Sequence, residues 1–317
     1  MTTRHLVDPE TLPVLDLMQA RDFDLSVIPQ VRADSEARFA FLGDPPLAPE
    51  VKVIGGPGGP LEIYWYDPQP GATGRAAVLH VHGGGMILGS AKSMQHGPAG
   101  LALALGIPVA SVEYRLAPEH PFPAPQEDCL AGLTWLAANA SSLGVDPARI
   151  AIAGESAGGG LAAATAQMAR DQGGPALAAQ ILTYPMLDHR TGGSECRHNN
   201  SHTGEFVWTR SANQVGWAAL QGDYGAGDHR KGWFSPALAE DLKGLPPTWI
   251  GTGSLDLFFD ENLDYARRLV DAGVPVELHS YPGAVHAFNL VADAGIAKAF
   301  NRDMLGATAR LLGLQAR

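Results

Sequence analysis

From residue 76 onward the chain alternates short apolar runs with helical stretches. The runs fall at 76–81, 108–113, 149–153, 178–183 and 248–251, with a last strand at 276–281, and helical patterns at 97–105, 126–139, 159–170, 260–272 and 294–312. Continuous apolar runs belong to strands covered on both faces, and strands separated by helices run parallel. The expected fold class is therefore α/β, a mostly parallel central sheet flanked by helices. In such sheets chemistry collects on the loops that leave the C-terminal ends of the strands. Ahead of the alternation, 51–54 and 61–66 show strand periodicity around a turn at 55–60, which predicts a hairpin.

Two segments stand apart from this pattern. Residues 1–45 read as an N-terminal helical cap. Asp8-Pro9-Glu10 starts a helix, with Asp as N-cap and Pro at the first position. Leu12, Val14, Leu15, Leu17 and Met18 form its apolar face, and a second amphipathic stretch runs from Val31 to Phe41 before Asp44-Pro45-Pro46 ends it. Residues 46–317 make the main domain. Within it, 188–235 lacks regular periodicity and holds Trp208, Trp217 and Trp233. So long an irregular stretch inside a compact domain is expected to be a lid.

Charge and cysteine content narrow the function classes. The formal charge is −11 at pH 7, so no basic face is expected for a nucleic acid or an anionic membrane. The sequence has no apolar stretch of the roughly 18 residues a membrane span needs. Its first residues lack the apolar core of a signal peptide, and the cytoplasm is the expected location. Cys129 and Cys196 lie far apart without metal-ligand spacing, so no disulfide, metal or cofactor is expected. The expected partner is a small molecule, with a homodimer left open.

Gly154-Glu155-Ser156-Ala157-Gly158 is a G-x-S-x-G sequence between a strand and an Ala/Gly-rich helix. That context sets a serine hydroxyl on a sharp turn above the sheet, beside the N–H groups and partial positive charge of a helix N-terminus. Ser156 is the expected nucleophile. The glycines are expected where side chains would strike neighbouring backbone. His82-Gly83-Gly84-Gly85 follows the run at 76–81. Bare amides there suit the negative charge that acyl transfer builds on a carbonyl oxygen, each donor being worth roughly 3–4 kcal/mol. Gly84 and Gly85, with Ala157 after the serine, are the expected oxyanion donors. The spacing is not that of a phosphate loop, since Lys92-Ser93 lies too far along.

The order HGGG then GESAG resembles the bacterial hormone-sensitive-lipase family of esterases, a subgroup of the α/β-hydrolases. The segment from Tyr114-Arg115-Leu116-Ala117-Pro118-Glu119 to Ala124, with Tyr184-Pro185 and Ser235-Pro236, extends the likeness. The resemblance implies an α/β-hydrolase fold with a helical lid or cap. It implies a carboxylesterase that cleaves short- to medium-chain acyl esters through a serine acyl-enzyme. It also implies a triad in chain order Ser, Asp, His. The family's acid lies in a D-P-L segment and its base in an H-G-F segment. The matches here are Asp256-Leu257-Phe258 and His286-Ala287-Phe288, so Leu257 stands for Pro and Ala287 for Gly, and no reacting group is lost.

Sheet position supports the same two residues, because Asp256 and His286 each follow a strand. Among rival acids, Asp260 reads as a helix N-cap, and Glu261 and Asp264 as helix residues turned from the crevice. Among rival bases, His279 lies inside a strand and His82 braces the oxyanion loop. Glu155 is expected to hydrogen-bond a neighbouring loop. Met86, Leu88, Met186, Phe206, Phe258 and Phe288 are candidates for substrate binding, weighed equally against ordinary core packing. An amidase or deacetylase acting on small aryl amides would carry the same motifs. A non-catalytic receptor would be expected to have lost one of the three triad groups, all of which are present.

Overall fold

The computed structural model describes residues 2–19, 23–40, 43–198, 200–225 and 227–315; Phe41, the end of the second amphipathic stretch, lies outside them. Strands β1 (Glu50–Gly56) and β2 (Gly59–Tyr66) make the expected hairpin, but they pair down to Gly56 and Gly59 and leave only Pro57 and Gly58 as the turn. The remaining strands are β3 (Arg75–Val81), β4 (Val109–Val112), β5 (Val145–Glu155), β6 (Ala179–Thr183), β7 (Thr248–Gly253) and β8 (Val276–Tyr281). Among the described residues they form one sheet in the order β1-β2-β4-β3-β5-β6-β7-β8. The hairpin is antiparallel, and β3 to β8 run parallel.

Every residue of β3, β4, β6 and β7 is buried, which is why these runs show no polar alternation. Alternate side chains serve two cores. Ala77, Leu79 and Val81 of β3 join the core that holds Cys129, Leu133 and Leu136 of α4 (Ala124–Ala138). Leu161 of α5 (Ala157–Asp171) and Tyr265 and Leu269 of α8 (Phe259–Asp271) complete it. Ala76 and Val78 face the core built with Ala99 and Ala102 of α3 (His96–Leu105) and Phe300 and Ala307 of α9 (Gly295–Leu311). Both cysteines are unbridged. No helix among the described residues is long and apolar enough to cross a membrane.

The N-terminal segment is less helical than its pattern suggests. Asp8 caps as expected, its Oδ1 accepting from Glu10 N at 2.9 Å, but only a 3-10 turn (Pro9–Thr11) and the short α1 (Pro13–Leu17) follow. Val14 and Leu15 are buried, whereas Leu17 is 47% exposed and does not belong to the apolar face. Helix α2 (Ile28–Ala40) docks through Arg32, which donates to the carbonyls of Ile87 and Ala117 and pairs with Glu119.

The segment 188–235 contains two helices that periodicity did not reveal, α6 (Arg210–Gln221) and the short α7 (Lys231–Phe234). Ser211, Asn213, Gln214 and Gly216 blur the pattern of α6 in sequence. In the structure Thr209 caps it, and Asn213 and Gly216 are buried with Ala212, Trp217 and Leu220.

Candidate active site

Strand β5 ends at Glu155 and α5 begins at Ala157, so Ser156 is the whole turn between them. Its backbone lies at φ 58°, ψ −122°. The glycines around it are set by contact. A Cβ on Gly154 would lie 2.3 Å from the Gly158 carbonyl oxygen, and one on Gly158 would lie 2.1 Å from that of Val81. The motif therefore records how closely α5 is drawn onto β3 and β5.

Asp256 follows β7 and His286 follows β8, which places both beside Ser156 at the same edge of the sheet. His286 Nε2 lies 2.9 Å from Ser156 Oγ, and Nδ1 lies 2.7 Å from Asp256 Oδ2. Asp256 is fully buried, and Ser156 and His286 are 7% and 6% exposed. The second carboxylate oxygen of Asp256 accepts from Phe258 N at 2.9 Å. Both carboxylate oxygens are thus held, and the imidazole is left with its Nδ1 proton toward the acid and Nε2 free to accept. The ring sits between Tyr184, edge-on at 4.7 Å, and Phe258, edge-on at 5.3 Å. Ala287 stands in the left-handed region at φ 59°, which accounts for the glycine in the family's pattern.

The loop after β3 brings Gly83, Gly84 and Gly85 to the wall of the cavity that holds Ser156. Among the described residues the amides of Gly84, Gly85 and Ala157 have no acceptor. The loop is braced from below. His82 stacks on Tyr114 at 4.1 Å, its Nδ1–H donates to Gly83 O, and Tyr114 OH donates to His82 O. Burial pushes the His82 pKa down to about 4, so the ring stays neutral. Glu155 does not reach for a loop as expected but faces His80 of β3, 3.0 Å from Nε2, while His80 Nδ1 meets Ser111 Oγ at 2.9 Å.

The cavity measures about 260 Å³. Of the six side chains expected to bind substrate, Leu88 lines it. Met86 and Met186 are core residues, at 1% and 0% exposure. Phe258 and Phe288 are also fully buried: the first packs on His286, the second among Tyr184, Tyr281 and Phe300. Phe206 packs in the small cluster around Val14 and Leu255. Their hydrophobicity marked them for burial, and sequence does not say which buried apolar group faces a void. The walls missed from sequence include Met18, Met94, Tyr184, Val207, Asn289 and Leu290. Tyr184 packs on His286, Val207 precedes Trp208, and Asn289 and Leu290 follow His286 in the chain, so place in the fold and not residue type selects these four.

Two rival acids also find their roles. The N-cap of α8 is Phe258, and Asp260 lies inside the first turn. Glu261 is buried and accepts from Leu187 N at 2.6 Å and from the Thr191 hydroxyl, tying down the start of the 188–235 segment.

Comparison with known proteins places this arrangement. Residues 78–290 match a family described as having the alpha/beta hydrolase fold. The chain is 36% identical to the esterase LipI of Mycobacterium tuberculosis over 299 residues, which cover 92% of this chain and 90% of that protein. It is 36% identical to the carboxylesterase NlhH of the same species over 304 residues, covering 91% and 92%. Among solved structures, a bacterial heroin esterase superposes with a TM-score of 0.89 at 37% identity, covering 98% of this chain and 99% of that one.

Proposed function

The chain belongs to the alpha/beta hydrolase family and is a serine carboxylester hydrolase, and from that premise we propose that Ser156, His286 and Asp256 perform the reaction on short- to medium-chain acyl esters. The observation that carries the assignment is the hydrogen-bonded line from Asp256 through His286 to Ser156. His286 Nε2 takes the hydroxyl proton as Ser156 Oγ attacks the ester carbonyl. Asp256 keeps the proton on Nδ1 and stabilises the imidazolium that forms. The amides of Gly84, Gly85 and Ala157 meet the negative charge on the carbonyl oxygen. His286 then protonates the departing alcohol and leaves an acyl group on Ser156. Water, deprotonated by the same imidazole, releases the acid and restores the serine.

The size limit rests on the cavity walls. Leu88, Met94 and Leu290 offer apolar surface to an acyl chain. We assign the lid role to 188–235, which supplies Val207 and Trp208, and a cap role to 1–45, which supplies Met18 and Ser35. Ser156→Ala should remove nearly all turnover of p-nitrophenyl esters. With the unaltered enzyme, kcat/KM should peak at short or medium acyl chains and fall for long ones. Turnover retained without the hydroxyl would overturn the nucleophile, and a rate still climbing at long chains would overturn the size limit.

A further inference from the structure

Among the described residues, the lining of the cavity around Ser156 holds no Lys, Arg or Asp, and Glu155 is its carboxylate. Glu155 shares a face of β5 with Ala151 and Ala153, which pack toward α3, and the first residues of α3, His96, Gly97 and Pro98, line the same cavity. Its two oxygens approach a single nitrogen, His80 Nε2, at 3.2 and 3.0 Å, and no other donor reaches them among the described residues. An ionised carboxylate accepts about four hydrogen bonds, so most of its capacity is unused. The neutral His80 tautomer that donates from Nε2 accepts the Ser111 hydroxyl proton at Nδ1, so one uncharged ring meets both contacts. The Glu155 side chain is 36% exposed and that of His80 only 3%, so the pair is open on the carboxylate side.

A carboxylate with free acceptor sites, in a wall without Lys or Arg, suits a cation that can donate to it. We propose that Glu155 selects, among the esters this enzyme cleaves, those whose alcohol carries an ammonium group. This selection rests on the reading of the cavity as the place where esters are cleaved. His286 protonates the alcohol as it departs, so the alcohol lies on the His286 side, where Tyr184, Asn289 and Leu290 wall the cavity. Glu155 stands near that side, since its charge adds to burial in raising the Tyr184 pKa. The ammonium N–H donates to Glu155 and takes no part in the bond changes at the carbonyl. Hydrolysis through Ser156 then releases a carboxylic acid and a protonated amino alcohol. The formal charge of −11 draws the same class of substrate toward the protein.

Two acetates of one shape test this: 2-(dimethylamino)ethyl acetate, protonated at neutral pH, and 3-methylbutyl acetate, its uncharged isostere. Acid release at constant neutral pH gives kcat/KM for each. Glu155→Gln should lower the charged-to-neutral ratio by about tenfold, the scale of one hydrogen bond to a charged group. A ratio taken within one enzyme cancels the intrinsic reactivity of the two esters and any general loss of activity in the variant. A second measurement needs only the unaltered enzyme. As an inhibitor of p-nitrophenyl acetate hydrolysis, protonated 2-(dimethylamino)ethanol should bind at least about tenfold more tightly than N-acetylethanolamine, a neutral polar alcohol of similar size. An unchanged ratio in Glu155→Gln, or equal inhibition by the two alcohols, overturns the selection by Glu155 and leaves ester cleavage standing. Failure of the unaltered enzyme to cleave either acetate overturns both.

Discussion

At Ser156 the backbone occupies a region that costs a residue with a Cβ on the order of 1–3 kcal/mol. Packing of α5 against β3 and β5 holds it there, and the reward is a hydroxyl presented to His286 at 2.9 Å. Gly84 shows the same principle with the sign reversed, since its φ of 116° suits glycine alone. A Cβ there would lie 2.1 Å from the Leu88 carbonyl oxygen. Gly84→Ala should therefore shift the loop after β3 while Ser156, His286 and Asp256 keep their places. The expected result is a fall in kcat of roughly 10²–10³, the loss that follows removal of one oxyanion donor. Steady-state kinetics on p-nitrophenyl acetate checks it, and a fall confined to KM would contradict it.

Two carboxyls show how elements are joined. Glu261 of α8 holds the backbone amides of Leu187 and Asp188 where the 188–235 segment begins, after β6. Glu261→Ala leaves those donors buried and alone. It should cost roughly 2–3 kcal/mol in urea denaturation and raise KM as the 188–235 segment, which supplies Val207 and Trp208 to the cavity, loosens. Glu113, just past β4, behaves differently. Burial, with the charges of Glu62 and Glu36, pushes its carboxyl up to about 7, against hydrogen bonds from Lys92 N and Ala91 N that pull it down. A folded-state value above the ordinary 4.5 means that the fold prefers the protonated acid. That stabilising contribution is whole below 4.5 and is lost as pH rises through about 7. Glu113→Gln keeps the acceptor for Lys92 N and cannot ionise. Its melting temperature should match the unaltered protein at pH 4 and exceed it at pH 8, and an equal difference at both would refute the coupling.

Across the whole molecule, the N-terminal segment joins the 188–235 segment to the loops that follow β7 and β8. Thr3 donates through both its amide and its hydroxyl to Glu205, and Asp8 N donates to Gly283 O in the loop before His286. Val7, Val14 and Leu15 pack with Leu255, beside Asp256, and with Val285, beside His286. Val14 is wholly buried. Val14→Ala should cost about 2 kcal/mol, from two methyl groups and the void they leave. It should also lower kcat, because the loops that carry Asp256 and His286 lose shared packing. Equilibrium unfolding and kcat measured on one preparation would show whether the two losses travel together.

What sequence determined by itself was local and periodic. Unbroken apolar runs marked β3, β6 and β7 because both faces of each are covered, and Val276–Tyr281 was bounded to the residue. The strand–GESAG–helix context marked Ser156 because a turn that tight admits few residue types, and the order of strands pointed to Asp256 and His286. Tertiary structure decided what depends on which distant surfaces meet. It chose Leu88 over Met86 and Phe258 as cavity wall, since hydrophobicity encodes burial but not the direction of a void. It turned Glu261 into a tether for the start of the 188–235 segment, and it stabilised α6 through Ala212, Trp217 and Leu220, whose buried face only packing could define.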